Sequence, residues 1–285
     1  MIDKTKTLYV SDMDGTLLGS DSLVSASTAR ILTELTSRGA LITVATARTP
    51  ATVVPLLADT DLAPDAIVMT GAACWSRRKD CFTDVHLIPE DHVVRTLDEC
   101  RRAGIHPFVY VLAPDNRTLD VYHGAAAFNK AEESFYLQRC RLPLKRFHLN
   151  SPVPARALTF SMLFYAMGPA QVVVPVAEKL RANTDLAISC YPDIFDSRQA
   201  NLEILAPGVS KAAAIARVVQ RTGAERTVVF GDNLNDLPMF GIATLSVAVD
   251  NAQPEVKQAA DIVTGANYTD AVAHFIEHDF NSKHS

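Results

Sequence analysis

Short apolar runs recur along the chain, each followed by a polar turn and then by a stretch with helical spacing. Leu8-Tyr9-Val10, Leu41 to Ala45, Ala66 to Met69 and Thr227 to Phe230 are such runs. Their length and lack of alternation fit strands buried on both faces. Between the first two, Ala29, Leu32 and Leu35 fall on one face of a helix that Ser25 or Ser27 can cap. That helix runs to about Arg38, and Gly39 suits the position just past its end. A second helix is expected from about Ala51 to Ala58. The order β-α-β-α-β predicts a parallel sheet with crossover helices.

From about Val85 the texture changes. Glu90 to Ala103 has helical spacing, and so do Ala125 to Cys140 and Pro169 to Asn183. Pro107 to Leu112, Thr118 to Tyr122, Ala157 to Tyr165 and Leu186 to Tyr191 alternate or run apolar, as antiparallel strands do. Two similar passes of strand and helix predict a separate α+β unit inserted into the first domain. The first texture returns at about 196. Strands are expected at Asn201 to Leu205, Thr227 to Phe230, Leu245 to Val249 and Ile262-Val263. Helices are expected from Lys211, capped by Ser210, to near Gly223, at Pro238, from Pro254 to Ala260 and from Asp270 to Glu277.

The chain has 285 residues, 48% hydrophobic and 21% charged, enough for one large packed domain or two ordinary ones. A net charge of −5 argues against a general nucleic-acid binder. Arg77-Arg78-Lys79 and the basic stretch Arg139 to Arg146 are local and fit solvated surface. The five cysteines, at 74, 81, 100, 140 and 190, form no CxxC pair, which fits reduced thiols in a cytoplasm. No apolar run approaches the roughly 20 residues of a membrane span. The segment MIDKTKTLYV is charged and enters a strand at once, unlike a signal peptide. His274 and His278 stand four apart, but no further ligand lies near them in sequence, so an exposed helix face is expected.

The chemistry collects at strand ends. Leu8-Tyr9-Val10 runs into Asp12-Met13-Asp14-Gly15-Thr16. Two carboxylates one residue apart repel, and a cation beside them relieves the cost. The second strand ends in Thr46-Ala47-Arg48, the third in Thr70-Gly71-Ala72, and Thr227 to Phe230 runs into Gly231-Asp232-Asn233-Leu234-Asn235-Asp236. In a parallel sheet all carboxyl ends open on one edge, where ligands bind. Hard oxygen ligands suit Mg²⁺, which completes its shell with water and substrate phosphate. Lys211 at a helix start adds a cation and backbone donors for an anion. Thr46 can hydrogen-bond a phosphoryl oxygen, and a carboxylate can act as nucleophile toward phosphorus.

In this order, Asp12 to Leu18, Thr46-Ala47-Arg48, Lys211 and Gly231 to Asp236 resemble the four motifs of the haloacid dehalogenase-like (HAD) phosphatases. The insert resembles the type 2 cap of their Cof-like sugar-phosphatase branch. The resemblance covers essentially the whole chain. It implies an α/β fold with a Rossmann-like catalytic core at 1–84 and 196–285 and an α+β cap at 85–195 that sets substrate specificity. It implies that Asp12 is the nucleophile and Asp14 the general acid/base. Thr46, the Ala47 position, Lys211 and Asn235 would bind phosphate. Mg²⁺ would sit on Asp12, Asp232 and the backbone carbonyl of Asp14, with Asp236 in support. The implied activity is Mg²⁺-dependent hydrolysis of a small phosphorylated metabolite such as a sugar phosphate, by a monomer or small homo-oligomer. A phosphosugar mutase or phosphotransferase, or a phospho-metabolite sensor without turnover, is the alternative. Relatives often have Thr-Gly-Arg at 46–48 and Asn-Gly-Ala at 70–72. The second position lies near the substrate, so Thr70 and Gly71 are candidate contacts, together with Arg48, Tyr191 and Phe195.

Overall fold

In the computed structural model of the protein, residues 6–193 and 196–282 are described. The chain forms two compact units, Met1–Thr83 with Ser210–Ser285, and Asp84–Val209. The first unit begins with β1 (Thr7–Ser11), α1 (Ala26–Ser37), β2 (Leu41–Val44), α2 (Pro50–Leu56) and β3 (Ala66–Val68). Two strands absent from the sequence expectation follow, β4 (Ala73–Ser76) and β5 (Cys81–Thr83). The second unit contains α3 (Glu90–Arg102), β6 (Phe108–Leu112), β7 (Leu119–His123), α4 (Lys130–Leu137), β8 (Lys145–Leu149), β9 (Ser161–Pro169), α5 (Ala170–Asn183), β10 (Ala187–Pro192) and β11 (Gln199–Leu205). The chain returns to the first unit with α6 (Lys211–Thr222), β12 (Arg226–Gly231), α7 (Leu237–Phe240), β13 (Leu245–Ala248), α8 (Pro254–Ala259), β14 (Ile262–Val263) and α9 (Ala271–Asn281).

The first unit is built on a parallel sheet of order β14-β13-β12-β1-β2. Every residue of β1 is buried, as its unbroken apolar character requires. The strand order reverses beside β1, so the carboxyl ends of β1 and β12 flank the crevice where such sheets bind ligands. The first helix starts at Ala26 because the Ser25 hydroxyl accepts from the Thr28 N–H at 2.9 Å. A carboxylate at the far edge holds the last helix: Asp279 accepts from the Tyr9 hydroxyl and the Arg226 guanidinium, both at 2.7 Å. The third strand joins the parallel sheet only through a bridge from Ala45 to Ile67. Its main partner is antiparallel β4, which pairs in turn with β5.

The second unit is a six-stranded sheet of order β10-β11-β9-β6-β7-β8. All its pairings are antiparallel except that of β7 with β8. Two expectations differ here. The helix expected over Ala125 to Cys140 is confined to Lys130–Leu137, because Asn129 and Glu132 form a capping box that fixes its start. The strand at Asn201 to Leu205 does not return to the first unit at 196. It pairs with β9 and β10, so the return falls between Val209 and Ser210. Its Leu202, Ile204 and Leu205 are buried in that second sheet. Among the described residues no helix is long and apolar enough to cross a membrane, and the five cysteines are free.

Candidate active site

Asp12 is the first residue past β1. Its N–H donates to the Phe230 carbonyl at 3.0 Å, which continues the β1–β12 pairing to the strand's end. The carboxylate is buried and accepts from the Lys211 ammonium at 2.7 Å. Lys211 opens α6, whose start is fixed by the Ser210 hydroxyl accepting from the Ala213 N–H at 3.0 Å. The same ammonium donates to Asp236 at 2.9 Å, and Asp236 is fully buried. The other oxygen of Asp236 accepts the N–H groups of Asp232 and Asn233 at 3.1 and 3.2 Å. Asp236 therefore has both oxygens committed and acts as a brace between the β12 turn and Lys211.

Asp232 follows β12. One of its oxygens accepts from the Thr16 hydroxyl at 2.9 Å. The other faces Gly15, which has φ of +74°, and a Cβ there would lie 2.3 Å from that oxygen. Only glycine fits both the backbone turn and the approach. Oxygens of Asp12, Asp232 and Asp236 lie within 4.8 Å of one another. Burial pushes the Asp12 carboxyl upward; Lys211 draws it down, and Asp236 pushes it further up. Burial also raises the Asp232 carboxyl, with Thr16 opposing and Asp236 adding to the rise. Burial works against the Lys211 charge, but Asp12 and Asp236 hold its pKa above the ordinary lysine value. Three carboxylates share one ammonium, so the cluster carries excess negative charge in a poorly solvated place. A divalent cation relieves that cost. The oxygens left without a side-chain donor among the described residues belong to Asp12 and Asp232, a hard donor set that fits Mg²⁺.

Asp14 points elsewhere. Arg48 grips both its oxygens, Nε donating at 2.7 Å to one and the second nitrogen to the other. Arg48, expected as a substrate contact, is thus paired with the expected acid/base. The Thr46 hydroxyl oxygen accepts the Arg48 N–H at 3.1 Å, which leaves its O–H to donate to an anion. Ala47 and Asn235 are exposed beside these loops. Met69, Thr70 and Gly71 all have positive φ, 52°, 57° and 93°. The turn they form is held from both sides. The Met69 and Thr70 N–H groups donate to the Arg48 and Thr46 carbonyls at 2.9 and 3.0 Å. The Arg217 guanidinium donates to the Gly71 carbonyl at 3.1 Å. A Cβ on Gly71 would lie 2.3 Å from the Ser210 carbonyl oxygen.

The fold of the first unit thus brings Asp12, Asp14, Thr46, Arg48, Lys211, Asp232 and Asp236 to one sheet edge. Tyr191 belongs to the second unit, on β10, and Phe195 lies outside the described residues. His274 is exposed and pairs with Glu277 at 3.6 Å. Sequence reasoning passed over Thr16, Ser210 and Arg217. Thr16 stands inside the first motif, whereas the role of Arg217 has no sequence signal.

Residues 9–276 match the family model of the haloacid dehalogenase-like hydrolases. A 5-amino-6-(5-phospho-D-ribitylamino)uracil phosphatase of Bacillus subtilis, YcsE, is 28% identical over 95% of this chain and 94% of its own length. The pyridoxal phosphate phosphatase YbhA of Escherichia coli is 24% identical over 95% and 98%. A haloacid dehalogenase-like hydrolase from Bacteroides thetaiotaomicron shares the fold with a TM-score of 0.76, at 22% identity and with 95% of this chain and 98% of that one covered. The family model spans both units and all four strand-end groups, and on that ground the chain belongs to the haloacid dehalogenase-like hydrolases.

Proposed function

We propose that the protein is a Mg²⁺-dependent phosphomonoester hydrolase that acts through an aspartyl phosphate on Asp12. Its substrate is a sugar phosphate or a similar small phosphorylated metabolite. The observation that carries this reading is the buried Lys211 ammonium shared by Asp12 and Asp236, with Asp232 beside them. YcsE and YbhA are named for two different small phosphate monoesters, which supports the reaction class and leaves the substrate open.

Asp12 attacks phosphorus through a carboxylate oxygen, and the ester P–O bond breaks. Asp14 gives the leaving oxygen a proton. Water then attacks the phosphoryl group, its proton passes to Asp14, and the Asp12 carboxylate is released with inorganic phosphate. Lys211 orients the Asp12 carboxylate, while its charge and that of Arg48 draw an anion to the sheet edge. The Thr46 hydroxyl is left to donate to a phosphoryl oxygen. Mg²⁺ held by Asp12, Asp232 and the Asp14 carbonyl would supply charge neutralisation at the phosphoryl oxygens.

The test uses p-nitrophenyl phosphate with and without Mg²⁺. Turnover is expected to require the metal and to vanish after exhaustive EDTA treatment. Asp12→Asn is expected to form no phosphoenzyme. Asp14→Asn is expected to give a burst of about one nitrophenolate per site, because that leaving group needs little protonation while water still needs a base. Undiminished turnover in EDTA, or a phosphoenzyme on Asp12→Asn, would sink the mechanism.

A further inference from the structure

The sheet of the second unit carries a cluster of polar side chains that the steps above leave unused. On β11, Asn201 and Glu203 stand two residues apart and therefore share a face. Across the sheet Asn201 is the register partner of Tyr191 on β10, and Glu203 is the partner of Tyr165 on β9. The Tyr165 hydroxyl donates to the Asn201 side-chain oxygen at 3.0 Å, and the Tyr191 and Tyr165 hydroxyls are hydrogen-bonded to each other. Burial raises the pKa of both phenols, and the Glu203 charge adds to it. The carboxylate is therefore close to both. Tyr191 is 41% exposed and Asn201 only 8%, so the cluster opens to the surface at one end and is buried at the other.

Such a cluster costs desolvation free energy that an apolar face would not. Its members are arranged as a line. Tyr191 and Tyr165 fix the Asn201 amide with its oxygen taken, which leaves its two N–H donors for another group. Glu203 accepts only. Donors and acceptors thus alternate along one strand at about 6.6 Å spacing. Hydroxyl groups both donate and accept, so a run of them answers such a line, whereas an alkyl or unsubstituted aryl group would leave each polar atom unpaired.

We propose that this face of the second unit binds the hydroxyl-bearing carbon chain of the phosphate ester, Glu203 accepting from adjacent hydroxyls and the Asn201 amide donating to them. The inference rests on the phosphatase reading for the phosphoryl end of the ligand. It narrows the substrate class to phosphate esters of polyols or sugars.

Two measurements test it. The first compares kcat/KM for ribitol 5-phosphate with that for p-nitrophenyl phosphate, which has no hydroxyl chain. The wild-type protein is expected to favour ribitol 5-phosphate, and Glu203→Gln and Tyr165→Phe are each expected to cut that preference by about tenfold or more. Thermal melts followed by circular dichroism confirm that both variants are folded. Mere structural damage would lower both substrates together, so an unchanged ratio overturns the proposal. The second titrates ribitol 5-phosphate calorimetrically into Asp12→Asn with Mg²⁺ present, where no turnover is expected. Adding Glu203→Gln is expected to raise Kd by about tenfold or more. Equal affinities, or binding to neither protein, would overturn the ligand class. Failure of the wild type to turn over either ester, with this Kd difference intact, would sink the phosphatase reading and leave the hydroxyl-binding face standing.

Discussion

Arg48 and Asp14 show how a single pairing changes the meaning of a residue. A two-point grip by a guanidinium fixes the plane of a carboxylate as well as its position. The pairing raises the pKa of Arg48, chiefly through the hydrogen bond to Asp14, so the arginine stays charged. Arg48 is thereby a positioning residue for the proposed acid/base. Arg48→Lys keeps the charge but loses the fork. It is expected to lower kcat by about tenfold to a hundredfold with alkyl phosphates, in line with the usual worth of acid–base assistance. The loss is expected to be smaller with p-nitrophenyl phosphate, whose leaving group hardly needs a proton. Rates across a series of leaving groups check this, and an equal loss for all of them would show that Arg48 acts on binding instead.

At the scale of elements, the turn Met69–Gly71 couples the loop after β2 to the start of α6. Three successive left-handed residues are costly, and Thr70 is β-branched, so the turn persists only because its neighbours over-determine it. Gly71→Ala would place a methyl against the Ser210 carbonyl and strain a φ of +93°. A stability loss of at least about 2 kcal/mol is expected in denaturant melts. A fall in activity is expected as well, because the α6 start carries Lys211. In the second sheet, His123 on β7 is buried and stacked on Phe108 with ring centroids 4.4 Å apart. Burial, helped by His106, pushes its pKa from 6.5 down to about 4. The unfolded chain therefore takes up a proton that the folded one refuses. Stability is complete above pH 6.5 and is lost as pH falls toward 4, by up to about 3 kcal/mol. His123→Phe is expected to flatten the melting temperature against pH across that window.

At the scale of the molecule, the boundary between units decides what can be cut away. The first unit holds its own parallel sheet and every residue proposed for the chemical steps, so Met1–Thr83 joined by a flexible linker to Ser210–Ser285 is expected to be soluble and cooperative. Removing only residues 85–195 is expected to fail. It would strip β11 of both its partners and expose Leu202, Ile204 and Leu205, a run ready to pair with another chain. Size-exclusion chromatography and circular dichroism distinguish the two excisions; equal behaviour would show that β11 belongs with neither sheet in particular.

The sequence by itself determined the parallel core and the strand-end chemistry. Strands buried on both faces are continuous apolar runs, and Asp12, Thr46, Lys211 and Asp232 each stand next to such a run or at a capped helix start. These signals are local, and the sheet edge gathers them without further information. Only the tertiary structure decided the rest. A buried strand reads the same whichever sheet receives it, so Asn201 to Leu205 could be recognised as a strand but not assigned to β9 and β10. The short strands β4 and β5 are stabilised by their hairpin partners, and Cys and Ser within them give little propensity signal. Likewise Asp236 differs from Asp232 only in what surrounds it. One has both oxygens tied to Lys211 and backbone N–H groups, while the other keeps an oxygen facing Gly15. Which carboxylate braces and which is left to hold a cation is a matter of distances between elements far apart in the chain, and no spacing in the sequence records those distances.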